Sequence, residues 1–460
     1  MKTSKKIISL AICASMILGL TACEQGGGLG EVTTTSNTLD DDINNPVDIN
    51  NFVTEPEKTL DNPNLVYFGF YDIRTAGDIK PAVKLFEETY GGKIDYMTVP
   101  WGDRLDKLQT LVTTGQSPDL VDKEYLTFPS LMQKNLYTDM TEYFEPYMSE
   151  PQWTEGIKGL VDKFAWKGKH YFYPFATNAL ANGLIYNADL FASYGLKNPR
   201  ELYDNNQWDW TAFKNIMEEF TRVNPDAIGG VYGILGTEIF LSTGVPLIGI
   251  EADGTITKNF ADPNIERAAN FLMELRKENY AVRGDGMWSN ETEPLASGNV
   301  AFLGVGDWKF SEFCNEEVYT DEFEFVPFPK DPLADKYYRS LTAFGYMVPS
   351  GSPNPQGAAA FINMVRKSLV DPELKAVVNE SMMASKHYTR EELDFILSFE
   401  DVTKYDVVVD GYYGFSDDLT KVIDDMLINI AFVQDENQKG WTQLRTENEG
   451  VIDSFLADFQ

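Results

Sequence analysis

The chain is poor in the residues that most enzymes use for chemistry. It has two histidines, His170 and His387, far apart in sequence, and three cysteines, Cys13, Cys23 and Cys314, in 460 residues. It contains no His-Glu-x-x-His, Cys-x-x-Cys, Gly-x-Ser-x-Gly, P-loop or dinucleotide glycine fingerprint. Metal-hydrolase, acyl-transfer, NTPase and dinucleotide readings therefore lack their usual parts, and no metal or cofactor is expected. Basic residues are also scarce: 38 Lys and Arg stand against 71 Asp and Glu, a formal charge of -33. Such a field repels nucleic acid and anionic headgroups. Cys314 lies beside Phe310 and Phe313, which suits a buried, inert thiol better than a nucleophile. A glycosidase needs only two carboxylates, so that class stays open.

Long apolar runs are missing too, with one exception. Ile7–Leu20, behind Lys2, Lys5 and Lys6, is apolar for 14 residues. That suits a signal-peptide core and is too short for a membrane-spanning helix, which needs about 20 residues. Leu20-Thr21-Ala22-Cys23 follows and resembles the lipobox of bacterial lipoproteins. The resemblance implies cleavage after residue 22, acylation of Cys23 (as with palmitate) and anchoring to the outer face of the cell membrane. Two or more acyl chains hold such a protein stably. With Cys13 removed and Cys23 acylated, Cys314 has no disulfide partner, so the exported body must rely on its core.

Residues 23–63 hold Gly26-Gly27-Gly28, many Thr, Ser, Asn and Asp, and nine acidic residues after Cys23 against Lys58. This composition cannot bury enough apolar surface to fold and is expected to be a flexible tether. Asp40-Asp41-Asp42 lacks the spacing and glycine of an EF-hand loop, so a solvated linker is favoured over a calcium site.

The remainder is long enough for two domains. The spacing predicts a strand over Leu65–Tyr71, a helix from about Asp78 to Tyr90, a strand over Lys93–Val99, a helix over Asp103–Thr114 and a strand at Leu120-Val121. Later helices are expected at Trp210–Val223, Pro263–Asn279, Pro355–Leu369, Pro372–Asn379, Asp418–Phe432 and Thr446–Phe459. Later strands are expected at Val300–Gly304, Phe323–Val326 and Ala343–Val348. Such alternation argues for parallel sheets covered by helices, an α/β fold. In open α/β sheets ligands bind just past the carboxyl ends of strands. Tyr71 is expected to end the first strand, Trp101 to follow the second, Asp122 and Lys123 the third, and Trp308 to follow Gly306-Asp307. Sugars suit such a place: their C–H faces pack on aromatic rings and their hydroxyls bond to polar side chains. Each aromatic serves either the site or the core, and the flanking turn residues favour the site for Trp101 and Trp308.

Several segments, in order, resemble the family 1 extracellular solute-binding proteins, the sugar-binding lipoproteins of ABC importers related to maltodextrin-binding protein. They are Thr114–Asp119, Leu131–Phe144, Gly168–Phe175, Gly183–Phe191, Leu295–Trp308 and Phe344–Val365. The resemblance implies a two-lobe periplasmic-binding-protein-like fold (type II) with discontinuous lobes: 64–178 with 346–400, and 183–342 with 412–460. Hinges would lie near Asn178–Gly183, Thr342–Tyr346 and Thr403–Gly411. It implies a monomer that closes about a carbohydrate without catalysis and delivers it to membrane permease subunits. A surface glycoside hydrolase, or a sensor or adhesion lipoprotein of the same fold, would share these features. The ligand residues it implies are Tyr71, Asp72, Trp101, Asp103, Lys123 and Asn178 of the first lobe. In the second they are Glu238, Phe240, Trp308, Tyr412 and Tyr413. Asp307 would add a hydroxyl acceptor or cap the next helix.

Overall fold

The computed structural model describes residues 52–53, 59–122, 128–154, 157–178, 182–284, 291–400 and 405–459. The lipobox with Cys23, most of the acidic linker, and Lys123 lie outside the described residues.

Two sheets organise the chain. In the first, Leu65–Gly69 is flanked by two parallel strands, Ile94–Thr98 and Leu120–Asp122, and Tyr346–Met347 closes the edge antiparallel to Leu120–Asp122. Helix Lys80–Tyr90 connects the first two strands. Ile79, not Asp78, occupies its N-cap and offers no side-chain bond, while Gly91 stops it in the left-handed conformation at φ 69°. Its buried face, with Val83 and Phe86, packs on helix Pro355–Val370, where the Phe86 and Phe361 rings lie 5.4 Å apart. The late segment therefore returns to complete the first layer.

The second sheet runs in the order Ala281–Val282, Val231–Gly233, Phe302–Gly306, Asn182–Asn187, Phe323–Pro327. Asn182–Asn187 is antiparallel to both of its neighbours. Helices Trp210–Val223, Pro263–Lys277, Asp417–Phe432 and Trp441–Ala457 surround a core that includes Trp208, Phe213, Phe302 and Trp441. Asp209 and Asp262 cap two of these helices by accepting from Ala212 N and Asn264 N.

The expected strand Ala343–Val348 is two pieces. Thr342–Phe344 pairs with Ala176–Asn178, whereas Tyr346–Met347 joins the first sheet. Gly345 separates them; a Cβ there would lie 2.3 Å from the Phe172 ring, so the break passes a spot with no room for a side chain. A separate two-stranded pair, Tyr338–Ser340 with Asp406–Val408, is parallel. Arg339 is buried there among Tyr203, Tyr337, Phe399 and Tyr405, its guanidinium carbon 4.9–5.3 Å from each ring centre. Helix Arg390–Leu397 carries a capping box of Thr389 and Glu392. Arg200 lies 3.3 Å over the ring of its Phe395. Among the described residues no helix is long and apolar enough to cross a membrane.

Candidate functional site

The carboxyl ends of the first sheet carry an exposed aromatic cluster. Leu65–Gly69 ends two residues earlier than expected, so Phe70 as well as Tyr71 falls on the following loop. Trp101 sits on a short 3-10 turn, Trp101–Asp103, between the second strand and helix Arg104–Thr113. Phe70 is edge-on to both neighbours, 4.7 Å from Trp101 and 5.0 Å from Tyr71. Phe70, Tyr71 and Trp101 are 42%, 37% and 51% exposed. Arg104 lies over Trp101, its guanidinium carbon 3.3 Å from the ring centre, a cation–π contact that covers part of the indole.

Beneath the cluster, Asp122 accepts hydrogen bonds from the Tyr67 hydroxyl (2.8 Å) and the Tyr71 hydroxyl (3.1 Å). A crevice of about 20 Å3 lined by Gly69, Phe70, Arg104 and Asp122 opens here. Asp72 is committed elsewhere: its carboxylate accepts from Arg74 Nε (2.8 Å) and Nη2 (2.7 Å). Asp103 is exposed at the start of its helix and makes no cap bond. Asn178 is the strand partner of Thr342 in the antiparallel pair Ala176–Asn178 with Thr342–Phe344.

At the carboxyl end of the second sheet, Phe302–Gly306 leads into helix Asp307–Phe313. Trp308 is half exposed on its first turn. Gly306, not Asp307, is the N-cap, so Asp307 is a first-turn residue. Glu238 is buried; its carboxylate accepts from Asn182 Nδ2 at 2.7 Å and is also bonded by the Ser340 side chain. Burial pushes its pKa up to about 7, against the pull of those two bonds.

Three expected ligand residues, Phe240, Tyr412 and Tyr413, are enclosed in the core. Phe240 has no exposed surface, because Gly236–Leu241 is a helix buried at every residue rather than a loop; its ring lies 5.2 Å from Trp441. Tyr412 is equally enclosed, stacked 4.0 Å from Tyr413, with its hydroxyl donating to Asp424 at 3.1 Å. Tyr413 is buried beside it. Phe70 and Arg104 join the cluster without having been expected there; Asp122, expected just past the third strand, is that strand's last residue. Alternation alone extends the first strand through Tyr71, which places Phe70 inside it rather than on the loop.

Other features do not join this site. A wide, open cavity of about 650 Å3, lined in part by Arg200, Tyr203, Arg390 and Phe395, touches none of the expected residues. Cys314 donates to Glu392 at 3.4 Å, and burial pushes its thiol pKa up, away from a nucleophile. Among the described residues no group of three or more His, Cys, Asp or Glu is placed to hold a metal ion.

Residues 73–367 match the model of the bacterial extracellular solute-binding protein family. The chain belongs to that family. A relative from Streptococcus pneumoniae, a "carbohydrate ABC transporter substrate-binding protein", is 28% identical over 207 residues, 43% of this chain. The aligned stretch spans only 39% of that relative's length. Among solved structures, the Listeria monocytogenes ABC substrate-binding protein in complex with cycloalternan is 17% identical with a TM-score of 0.62, covering 86% of this chain and all of that one. A sugar-binding protein of Xanthomonas citri is 16% identical with a TM-score of 0.64, covering 86% and 98%. At such identities the likeness is one of fold: the two-lobe α/β architecture of periplasmic binding proteins.

Proposed function

We propose that this solute-binding protein captures a carbohydrate between its lobes and hands it to the membrane permease of an ABC importer. The observation that carries the reading is the half-exposed aromatic surface at the carboxyl ends of both sheets: Phe70, Tyr71 and Trp101 on one, Trp308 on the other. Flat apolar rings of this kind suit the C–H faces of pyranoses. The name of the Streptococcus relative and the sugar bound in the Listeria structure support the same ligand class. Asp103 and Asp307 supply hydroxyl acceptors at the rim. Tyr71 also accepts there, since Asp122 already takes its proton.

Ligand held by both lobes stabilises the closed arrangement, because the open one offers only half of the contacts. In the same reading Cys23 carries the lipid, and the acidic segment 24–63 tethers a monomeric body near the permease.

The test is a thermal-shift panel of neutral mono- and oligosaccharides. A true ligand at a hundred times its Kd adds about 2.7 kcal/mol of stability. A panel with no shift, or a shift only with charged solutes, overturns the carbohydrate assignment. Turnover of an oligosaccharide on prolonged incubation overturns binding without catalysis.

A further inference from the structure

Gly306 has φ -69° and ψ 153°, extended backbone that any residue adopts. Its lack of a side chain is therefore a matter of space. A Cβ built there would lie 2.3 Å from Nε1 and 2.6 Å from Cδ1 of Trp308. The indole thus folds back across the bare Cα two residues before it, while half of the side chain stays open to solvent. Gly304, in the same strand, is different: its Cβ would lie 1.9 Å from the Ile234 carbonyl oxygen, inside the sheet. In the first sheet a Cβ on Gly69 would also lie 2.3 Å from a neighbouring ring, at the Tyr67 hydroxyl, but that ring is buried and precedes its glycine.

We propose that Gly306 is a positioning residue for ligand capture: its bare Cα is the seat against which the Nε1–Cδ1 edge of the Trp308 indole rests, leaving the exposed half of the side chain for a sugar ring. The inference rests on the carbohydrate reading for its ligand and on geometry alone for the seat. The three atoms nearest a methyl group at position 306 all belong to one half-exposed side chain, which can swing away at little cost to the fold. A methyl group at 304 meets backbone, which cannot.

Two measurements test the seat. The first needs no ligand. The Trp308 indole N–H resonance is assigned by its loss in Trp308→Phe and then followed in Gly306→Ala. It is expected to shift, with the other seven of the eight tryptophan signals unmoved. An unmoved Trp308 resonance overturns the seat. The second is a double-mutant cycle with a sugar that binds the wild type. Gly306→Ala weakens binding about tenfold, roughly 1.4 kcal/mol, and has no further effect once Trp308→Ala is present. An equal loss in both backgrounds overturns the proposal. If Gly306→Ala alone fails to fold, Gly306→Ala/Trp308→Ala is expected to fold; failure of both overturns the seat as well. Should no sugar bind the wild type, the carbohydrate reading fails, and the resonance shift still decides the seat.

Discussion

The two lobes present the ends of their sheets differently. The first leaves three aromatic rings half exposed over a carboxylate that bonds two tyrosine hydroxyls. The second exposes one tryptophan and encloses the rest: Glu238, Phe240, Tyr412 and Tyr413 are all buried. The cause is local. Past its first strand the first lobe has a loop and past its second a short 3-10 turn, whereas the second lobe follows Val231–Gly233 with a fully buried helix. In the carbohydrate reading proposed above, the first lobe would offer the broader aromatic surface and the second a single contact ring, Trp308.

The contrast can be broken at several points. The largest effect is expected at Phe240. Truncating this enclosed ring in Phe240→Ala removes core packing and should lower unfolding free energy by about 3–5 kcal/mol in denaturant titration. A loss within about 0.5 kcal/mol would place the ring outside the core.

Glu238 comes next. Its folded-state pKa near 7 stands above the ordinary unfolded value, so the folded chain binds this proton more tightly. Stability should therefore fall as pH rises through the window from the unfolded value up to about 7, and be restored on acidification. Asp424, pushed up to about 6 mainly by burial, acts in the same direction. Glu238→Gln should flatten the pH profile of unfolding between pH 5 and 8 by on the order of 1–3 kcal/mol. An unchanged slope would show that the buried carboxyl does not titrate there.

The smallest change in stability is expected at Phe70. Being half exposed, Phe70→Ala should alter unfolding free energy by no more than about 0.5 kcal/mol, yet weaken sugar binding severalfold through loss of support for Trp101. Unaffected binding would exclude Phe70 from the binding surface.

Much of the architecture was legible in the residues. Trp210–Val223 matches its expected limits, and the Asp262-Pro263 start of its helix is as the capping signal indicates. These elements announce themselves through local chemistry: a capping aspartate, a proline in the first turn, apolar residues at helical spacing. The two-lobe fold was legible through ordered family motifs. What escaped depended on tertiary space. Alternation alone ran the first strand past Gly69, hiding Phe70. Nothing in the run Ala343–Val348 discloses that its two halves pair with different partners. An acidic–aromatic pair such as Glu238 and Phe240 looks alike on a loop and on a buried helix, and only packing separates the two. Trp101 and Trp308, flagged by their turn residues, are half exposed at the sheet ends.

The most direct test of the account is calorimetric titration of the wild type, Trp101→Ala and Trp308→Ala with a neutral oligosaccharide selected by thermal shift. The account predicts saturable binding to the wild type, and a loss of at least about tenfold in each variant with unliganded melting unchanged. Undiminished binding to both variants would contradict it.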